Sequence, residues 1–522
     1  MIHISTSFAL LVVAIIILVC IAGSRLSGRL GVPTLFIFIM LGMLFGSDGI
    51  FKIPFGNFAL AEQVCSVALI FIMFYGGFGT RWSEAKPVAG RSILLSSAGV
   101  VLTAFLTGLF CHLVLKMALM EGMLLGAVLG STDAASVFSI LRSRKLNLKY
   151  GTASMLELES GSNDPFAYMM TVILLSAMTG SVSGGSAVLL LIRQLAFGLL
   201  TGAAVAWLVT WLLKRYAFYG EGFDTIFVFA AAIISYALAS QIGGNGYLSV
   251  YLTGIILGNQ ELKNQKALVG FFDAFTGMMQ MLLFFLLGLL AFPSQMPSIV
   301  LPAIAIALFL TFVARPAAVG LLLAPSKPPI GQYLVISWAG LRGAASIVFA
   351  IMATLSEGYM KYDIFHIVFC VVLFSIIFQG SLLPKVAEKC DMIDNSTDVM
   401  RTFSDYTGDM QIQFVQLPIG DNHPWKNRKI CEIEMLPGML ITVIRRGAQT
   451  IVPKGQTVIL EGDTVVLGAE GFTDSQGILL KEILMTPDHR WCGKKIAEAI
   501  SSGSMSWSER STPSTNTSGL VL

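Results

Sequence analysis

Charge is what this 522-residue sequence has little of. Asp, Glu, Lys and Arg make up 12% of it, against about 25% in an ordinary soluble domain. That leaves too few polar groups to cover a water-facing surface, which excludes a chain that is soluble throughout. There is no excess of one sign either. The 34 basic and 31 acidic residues leave a net charge of +3, too mild to suggest a nucleic-acid partner. With 18 prolines and 55% hydrophobic residues, the chain cannot be mostly disordered. Seven cysteines are scattered without a CxxC pair, so neither disulfides nor a thiolate metal site is expected. HExxH, Walker A and GxSxG motifs are all missing. The common soluble enzymes are thereby excluded, and no cofactor is expected.

Long apolar runs are what the sequence does have, with a mean hydropathy of +0.77. The composition predicts an α-helical polytopic membrane protein. Runs bounded by charges or Gly/Pro clusters suggest about thirteen spans, near 5–23, 31–46, 58–79, 91–115, 121–141, 152–179, 187–213, 224–242, 246–258, 270–292, 299–323, 332–355 and 363–384. A count of twelve stays open, because the second and ninth runs are short for a bilayer that needs about 20 helical residues. The first run lacks preceding Lys or Arg and a small-residue cleavage site, so it reads as a retained helix. Basic residues fall in alternate loops: Arg25 and Arg29, Arg81 to Arg91, Arg142 to Lys149, Lys214 and Arg215, Lys263 and Lys266, Lys327, Lys385 and Lys389. This alternation places the N-terminus outside and the C-terminal part in the cytoplasm.

Residues 1–390 are thus the expected membrane domain, followed by a polar linker over 391–409. From 410 to 485 strand-like runs predict a small α/β or β-rich domain, with Glu461-Gly462-Asp463 as its hairpin signal. Residues 486–522 are Ser/Thr-rich and read as a disordered tail.

Three clusters put polar groups where lipid would penalise them, at about 2.5–3.5 kcal/mol per charge on insertion scales. The sixth span holds Glu157, Glu159, Ser160, Ser162, Asn163 and Asp164, then Pro165. Ser160 and Asp164 lie four apart on one helix face, with Glu159 and Asn163 on the adjoining one. A carboxylate with a hydroxyl one turn earlier offers hard oxygen ligands to a small cation, and the same carboxylate can take a proton when the ion leaves. The alternatives are a loop mistaken for a span, or a purely structural polar network. The fifth span carries Gly130-Ser131-Thr132-Asp133-Ala134-Ala135-Ser136, which suggests an interrupted helix. For its serines, bonding back to their own helix is the stronger alternative; for Asp133 that reading is weak, because an ionised carboxylate cannot donate to a carbonyl.

The twelfth span carries Gly340-Leu341-Arg342-Gly343-Ala344-Ala345-Ser346. GSTDAAS and GLRGAAS, seven spans apart, have the form of an inverted-topology repeat with two broken helices meeting mid-membrane. Chance similarity of small residues is the competing explanation. Arg342 cannot shed its charge and needs a carboxylate, for which Glu159 is the candidate. Arg315 in the eleventh span is a second basic group, either functional or snorkelling.

TDAAS, ESGSNDP and GLRGAAS, in that order, resemble the monovalent cation/proton antiporter family, branch one. The resemblance covers roughly residues 1–390. It implies about thirteen helices, inverted repeats and a homodimer. It further implies that Asp164 binds cation and proton in turn, with oxygens from Ser160 and Thr132 and with Asp133 alongside. K⁺ or Na⁺ would sit transiently at Asp164, Ser160 and Thr132. Asn163 stands where electrogenic relatives carry a second aspartate, and Glu159 with Arg342 would form a buried ion pair. Tyr75 replaces a carboxylate that some relatives carry in the third span.

The stretch LPGMLITVIRRGAQTIVPKGQTVILEGDTVVLGAE resembles the C-terminal regulatory module (RCK-C or TrkA-C type) of potassium-transport proteins, which implies a small-molecule regulator. Together these resemblances imply a bacterial inner-membrane antiporter exchanging K⁺, or else Na⁺, for H⁺. A channel gated by the cytoplasmic module is the competing class, though no TVGYG-type filter is present. An intramembrane enzyme is less favoured, because His112 and His366 have no metal-ligand partners at a readable spacing.

Overall fold

Apolar segments surrounded by lipid must satisfy every backbone N–H and C=O within themselves, so they become helices. The computed structural model describes residues 6–30, 33–143, 146–180, 184–215, 222–260, 262, 265–356, 358, 360–394, 412–421, 423–433, 435, 439–447 and 449–470. The contacts divide the chain between Gly408 and Asp409 into two units.

In the first unit the helices are α1 (Thr6–Leu30), α2 (Thr34–Phe45), α3 (Phe58–Gly79), α4 (Trp82–Ala85), α5 (Ala89–Leu94) and α6 (Val100–Leu113). They continue as α7 (Leu119–Val128), α8 (Ala134–Ser143), α9 (Thr152–Met178), α10 (Gly184–Arg215), α11 (Phe223–Gln241), α12 (Gly246–Gly258) and α13 (Gln265–Leu290). The last are α14 (Met296–Phe309), α15 (Arg315–Leu323), α16 (Ile330–Trp338), α17 (Ala344–Leu355), α18 (Ile364–Phe374) and α19 (Ser381–Lys389). Each of the thirteen expected segments is occupied by a helix or a pair of helical arms. Among the described residues, seven helical runs are long and apolar enough to cross a membrane, and five shorter apolar helices accompany them. The 27-residue α9 carries Glu157, Glu159 and Asp164 in its middle.

The expected fifth and twelfth spans are each interrupted. Leu129–Asp133 separates α7 from α8, and residues 339–343 separate α16 from α17. Three other spans stay continuous through a π-helical turn: Leu95–Gly99 joins α5 to α6, Leu310–Ala314 joins α14 to α15, and Ser375–Gly380 joins α18 to α19. Side-chain caps start several helices. Asn57 accepts from Leu60 N at 3.0 Å before α3, and Asn245 accepts from Leu248 N at 3.0 Å before α12. Asp363 accepts from His366 N at 3.1 Å before α18. Each cap satisfies one orphan N–H of a first turn.

Small residues set the tightest packing. The α3–α12 pair approaches so closely that a Cβ on Gly77 would lie 2.3 Å from the Tyr251 carbonyl oxygen.

The second unit is a four-stranded antiparallel sheet in the order β1-β4-β2-β3, from β1 (Ile412–Pro418), β2 (Met439–Arg446), β3 (Gln449–Ile451) and β4 (Asp463–Glu470). Ile419, Ile441, Ile444, Ile459, Val465 and Leu467 form its core. The hairpin is misplaced in the sequence reading. Glu461-Gly462-Asp463 is a turn, with Gly462 at φ +81°, but the runs on either side do not pair with each other. Residues 457–459 bond instead to 427–430, through Asn427 N to Ile459 O at 2.8 Å and Ile430 N to Thr457 O at 3.0 Å. The hairpin proper joins β2 to β3 at Gly447, which has φ +59°. Residues 471–485 of the expected domain, the tail 486–522 and most of the expected linker lie outside the described residues.

Asp463 is fully buried at the start of β4, and Arg446 grips it twice, Nε to Oδ1 at 2.8 Å and Nη2 to Oδ2 at 2.9 Å. Those bonds hold the Asp463 carboxyl below the usual carboxylate range, against the opposing effect of burial. A depressed carboxylate contributes stability above its unfolded pKa of about 3.9, and that stability is lost as pH falls through the folded value. Asp463→Ala should weaken this unit by about 1–3 kcal/mol at neutral pH. Limited proteolysis of the whole chain should then cut within residues 412–470 faster than in the parent. Unchanged cutting there would count against the pair as a stabilising contact.

Candidate functional site

Asp164 is the thirteenth of the 27 residues of α9, close to the middle of a helix about 40 Å long. The helix runs through Pro165 without interruption, although proline removes one backbone donor. Asn245 Nδ2 donates to the Pro165 carbonyl at 2.8 Å, tying the cap of α12 to the turn that holds Asp164. Asp164 itself is 6% exposed.

The α7–α8 break supplies what faces it. Ser131 Oγ donates to Asp164 Oδ1. Thr132 is held by Asn163 in two ways: Asn163 Nδ2 donates to Thr132 Oγ1 at 2.5 Å, and Thr132 N donates to Asn163 Oδ1 at 3.2 Å. Ser160 Oγ donates to the Thr132 carbonyl at 2.7 Å. Asp164, Asn163 and Ser160 of α9 are therefore brought together with Thr132; spacing within the helix suggested the first three, and the family resemblance suggested Thr132. Ser131 is the addition. Sequence reasoning placed it in the motif but not in the site, because a break has no fixed period to say which side chain turns toward α9.

Asp133 is placed next to this group with a structural role of its own. Its carboxylate accepts from Ser136 N at 3.1 Å and from Ser136 Oγ at 2.5 Å, which caps α8. The expectation discounted a structural role for Asp133 by considering only donation. A carboxylate serves as well by accepting from the first turn of a helix.

The two breaks cross. Asp133 N donates to the Leu341 carbonyl at 2.8 Å, and a Cβ on Gly343 would lie 2.4 Å from the Asp133 side chain. Arg342 Nη1 donates to the carbonyls of Gly130 at 3.1 Å and Ser131 at 2.9 Å. These carbonyls follow the C-terminus of α7, where the helix dipole favours a cation. The Arg342 backbone N–H donates to Ser375 Oγ at 3.0 Å.

The expected Glu159–Arg342 ion pair is corrected by this geometry. Glu159 pairs with Arg315, with Nη1 to Oε1 at 2.5 Å and Nη2 to Oε2 at 2.9 Å, and both residues are buried. Arg342 satisfies its charge on carbonyls freed by the broken helix, a partner that a search for carboxylates overlooks. Arg315 begins α15 directly after a π turn, so it points into the bundle and does not snorkel. A cavity of about 10 Å³ lies between Arg315, Arg342, Thr311 and Gln379, room for about one water. The Tyr75 hydroxyl donates to Asp273 on α13 at 3.0 Å.

Residues 14–389 match the sodium/hydrogen exchanger transmembrane family, and residues 414–470 match the TrkA-C domain. The chain belongs to the sodium/hydrogen exchanger family. Two curated members are similar along most of this chain. The K(+)/H(+) antiporter NhaP of Alkalimonas amylolytica is 36% identical over 382 residues, covering 73% of this chain and 66% of the relative. The K(+)/H(+) antiporter NhaP2 of Shewanella oneidensis is 36% identical over 383 residues, covering 72% and 66% respectively. This exchanger-family chain thus spans just under two thirds of the length of those relatives. Its fold is similar to that of the sodium proton antiporter MjNhaP1 of Methanocaldococcus jannaschii, with a TM-score of 0.65 over 74% of this chain and 99% of that one, at 23% identity.

Proposed function

We propose that this chain is a secondary antiporter exchanging a monovalent cation, K⁺ in preference to Na⁺, for a proton across the bacterial inner membrane. One observation carries the reading: a buried carboxylate, Asp164, accepts from the Ser131 hydroxyl in one of two crossing helix breaks, beside Ser160, which bonds the Thr132 carbonyl. The names of the curated relatives support K⁺, and the TrkA-C unit is compatible with it.

The mechanism is competition for one carboxylate. When ionised, Asp164 attracts the cation, and Ser131, Ser160 and Thr132 replace part of its water. When protonated, Asp164 is neutral and the cation has no counter-charge. If only the neutralised site crosses, the two species move in opposite directions by obligation. Asn163 adds no charge beside Asp164 and is engaged in fixing Thr132, so one proton replaces one cation and the exchange is electroneutral. Asp133 and Arg342 hold the α7–α8 break in shape, and the Glu159–Arg315 pair braces α9 against α15.

In this reading the N-terminus lies outside and the sheet unit, from about residue 410, is cytoplasmic and binds a small-molecule regulator. The working form is a homodimer. The test uses everted membrane vesicles containing the chain, acidified inside and reporting through a pH-sensitive dye. Adding K⁺ should release lumenal protons at lower concentration than adding Na⁺ or Li⁺. No response to any cation, with the protein shown to be present, would overturn the proposal.

A further inference from the structure

The chain leaves the membrane unit by way of a short ladder that the exchange scheme does not use. α19 ends at Lys389, and Asp391 takes the left-handed conformation at φ +52°. Residues 392–394 then run antiparallel to residues 147–149. Lys149 N donates to the Met392 carbonyl at 2.9 Å, and Asp394 N donates to the Asn147 carbonyl at 2.9 Å. Leu148 and Ile393 are the bridged pair between these bonds. Lys149 Nζ adds a contact to Asp391 Oδ1 at 2.9 Å, which is exposed and worth little by itself.

This ladder adjoins the start of α9. Lys149 is followed by Tyr150 and Gly151, left-handed at φ +60° and +63°, and then by Thr152, the first residue of α9. A left-handed backbone is costly for a residue with a Cβ and persists only where its surroundings hold it. Thr152 Oγ1 donates to the Lys149 carbonyl at 2.7 Å, and Gln332 Nε2 of α16 donates to Thr152 Oγ1 at 3.1 Å. Met392 and Leu148 are 1% and 3% exposed. They belong to one buried apolar cluster with Leu141 of α8, Leu156 of α9 and Ile336 of α16. A Cβ on Gly331, in the first turn of α16, would lie 2.4 Å from the Cys390 carbonyl oxygen. The exit strand is therefore seated on α9 and on one arm of each broken helix. From Thr152 to Asp164, α9 runs for about 18 Å without a break, so a displacement of its first turn reaches Asp164.

We propose that residues 391–394 are a strap through which the sheet unit holds the first turn of α9, and with it Asp164, in register with the two breaks. The path has two links: the chain from β1 back to Asp394, and the ladder from Asp394 to Lys149. A change of state in the sheet unit alters the pull on Asp394, the ladder opens or closes, and α9 is released or held. A regulator bound to the sheet unit thereby acts on the carboxylate without touching the transported ion.

This inference rests on Asp164 of α9 being the exchanging carboxylate, and its test includes a readout that needs no transport. Ile444→Asp puts a charge at a fully buried position of the sheet core, which opens that unit. Asp394→Pro removes the N–H that reaches Asn147. Leu148→Cys with Ile393→Cys lets the ladder be locked. An antiparallel pair flanked in this way has its Cα atoms about 4.5 Å apart, within disulfide range. Cys390→Ser is made in every chain so that this thiol does not compete. Everted vesicles expose the ladder to oxidant and reductant in the proposed orientation.

Ile444→Asp and Asp394→Pro should each shift the K⁺ concentration for half-maximal exchange by about fivefold or more. Each should also quicken hydrogen exchange over residues 147–156, and the double variant should match the stronger single one. Oxidising the cysteine pair should cancel both effects of Ile444→Asp, and reductant should bring them back. Additive effects in the double variant would overturn the proposal. So would an Ile444→Asp chain whose K⁺ dependence and hydrogen exchange over 147–156 match the parent, or a cross-linked chain that still responds to Ile444→Asp. Should Asp394→Pro fail to fold, the cross-linked pair decides. Exchange that persists in Asp164→Asn would overturn the reading of Asp164 alone, because hydrogen exchange still reports on the strap.

Discussion

Asp164→Asn should abolish cation-driven proton movement while leaving the protein folded and at its parental level in the membrane. The amide keeps the size of the carboxyl, and its oxygen can still accept from Ser131 Oγ. The α9 turn also keeps the Asn245 bond to the Pro165 carbonyl. What is lost is the ability to alternate between a negative and a neutral state. An amide attracts a monovalent cation far more weakly than a carboxylate and carries no titrating proton at physiological pH, so both halves of the cycle fail together. Dye dequenching in everted vesicles should fall to the level of vesicles without the protein, a loss of about 100-fold or more. Retained ΔpH-driven flux of any tested cation would remove Asp164 from the centre of the mechanism.

The second large effect concerns stability. Arg315→Ala leaves Glu159, 1% exposed, without its partner. Breaking a buried pair from one side costs about 3–5 kcal/mol, because the remaining charge is neither solvated nor neutralised. Arg315→Lys should also be poorly tolerated, since the two-pronged contact with Glu159 needs the planar guanidinium. Replacing both partners by apolar residues of similar volume should recover most of the loss. Apparent melting temperatures of the detergent-purified protein would show this pattern. An Arg315→Ala protein that melts with the parent would mean that the pair carries little of the packing of α9 against α15.

The positions of the helices were legible because apolar length is local information: Phe58–Gly79 and Gly246–Gly258 begin and end where charge or a capping Asn interrupts the run. The breaks were legible too, since Ser131 to Asp133 and Gly340 to Gly343 put polar and flexible residues where lipid would otherwise select leucine. Within the candidate site, α9 could be read from its helical period, which joined Ser160 to Asp164.

The partner of Glu159 could not be read in this way. Arg315 and Arg342 are 156 and 183 positions away, and no spacing rule chooses between them. The π turn before Arg315 also moves its side chain off the face that an α-helical count assigns. Ser131 escaped for a related reason: irregular backbone has no period. In the sheet unit, Gly447 and Gly462 are both turn glycines, and only the pairing of residues 427–430 with 457–459 shows which of them closes a hairpin.

The crossing of the two breaks has a kinematic consequence. Asp133 is bonded to Leu341, Arg342 to Gly130 and Ser131, Ser131 to Asp164, and Ser160 to Thr132. The two interrupted helices are fastened to each other and to α9 at their breaks. A displacement of any one of them drags the rest, so in the proposed exchange the oxygens around Asp164 keep their mutual distances. In the proposed exchange the ion's surroundings are therefore cargo along with the ion.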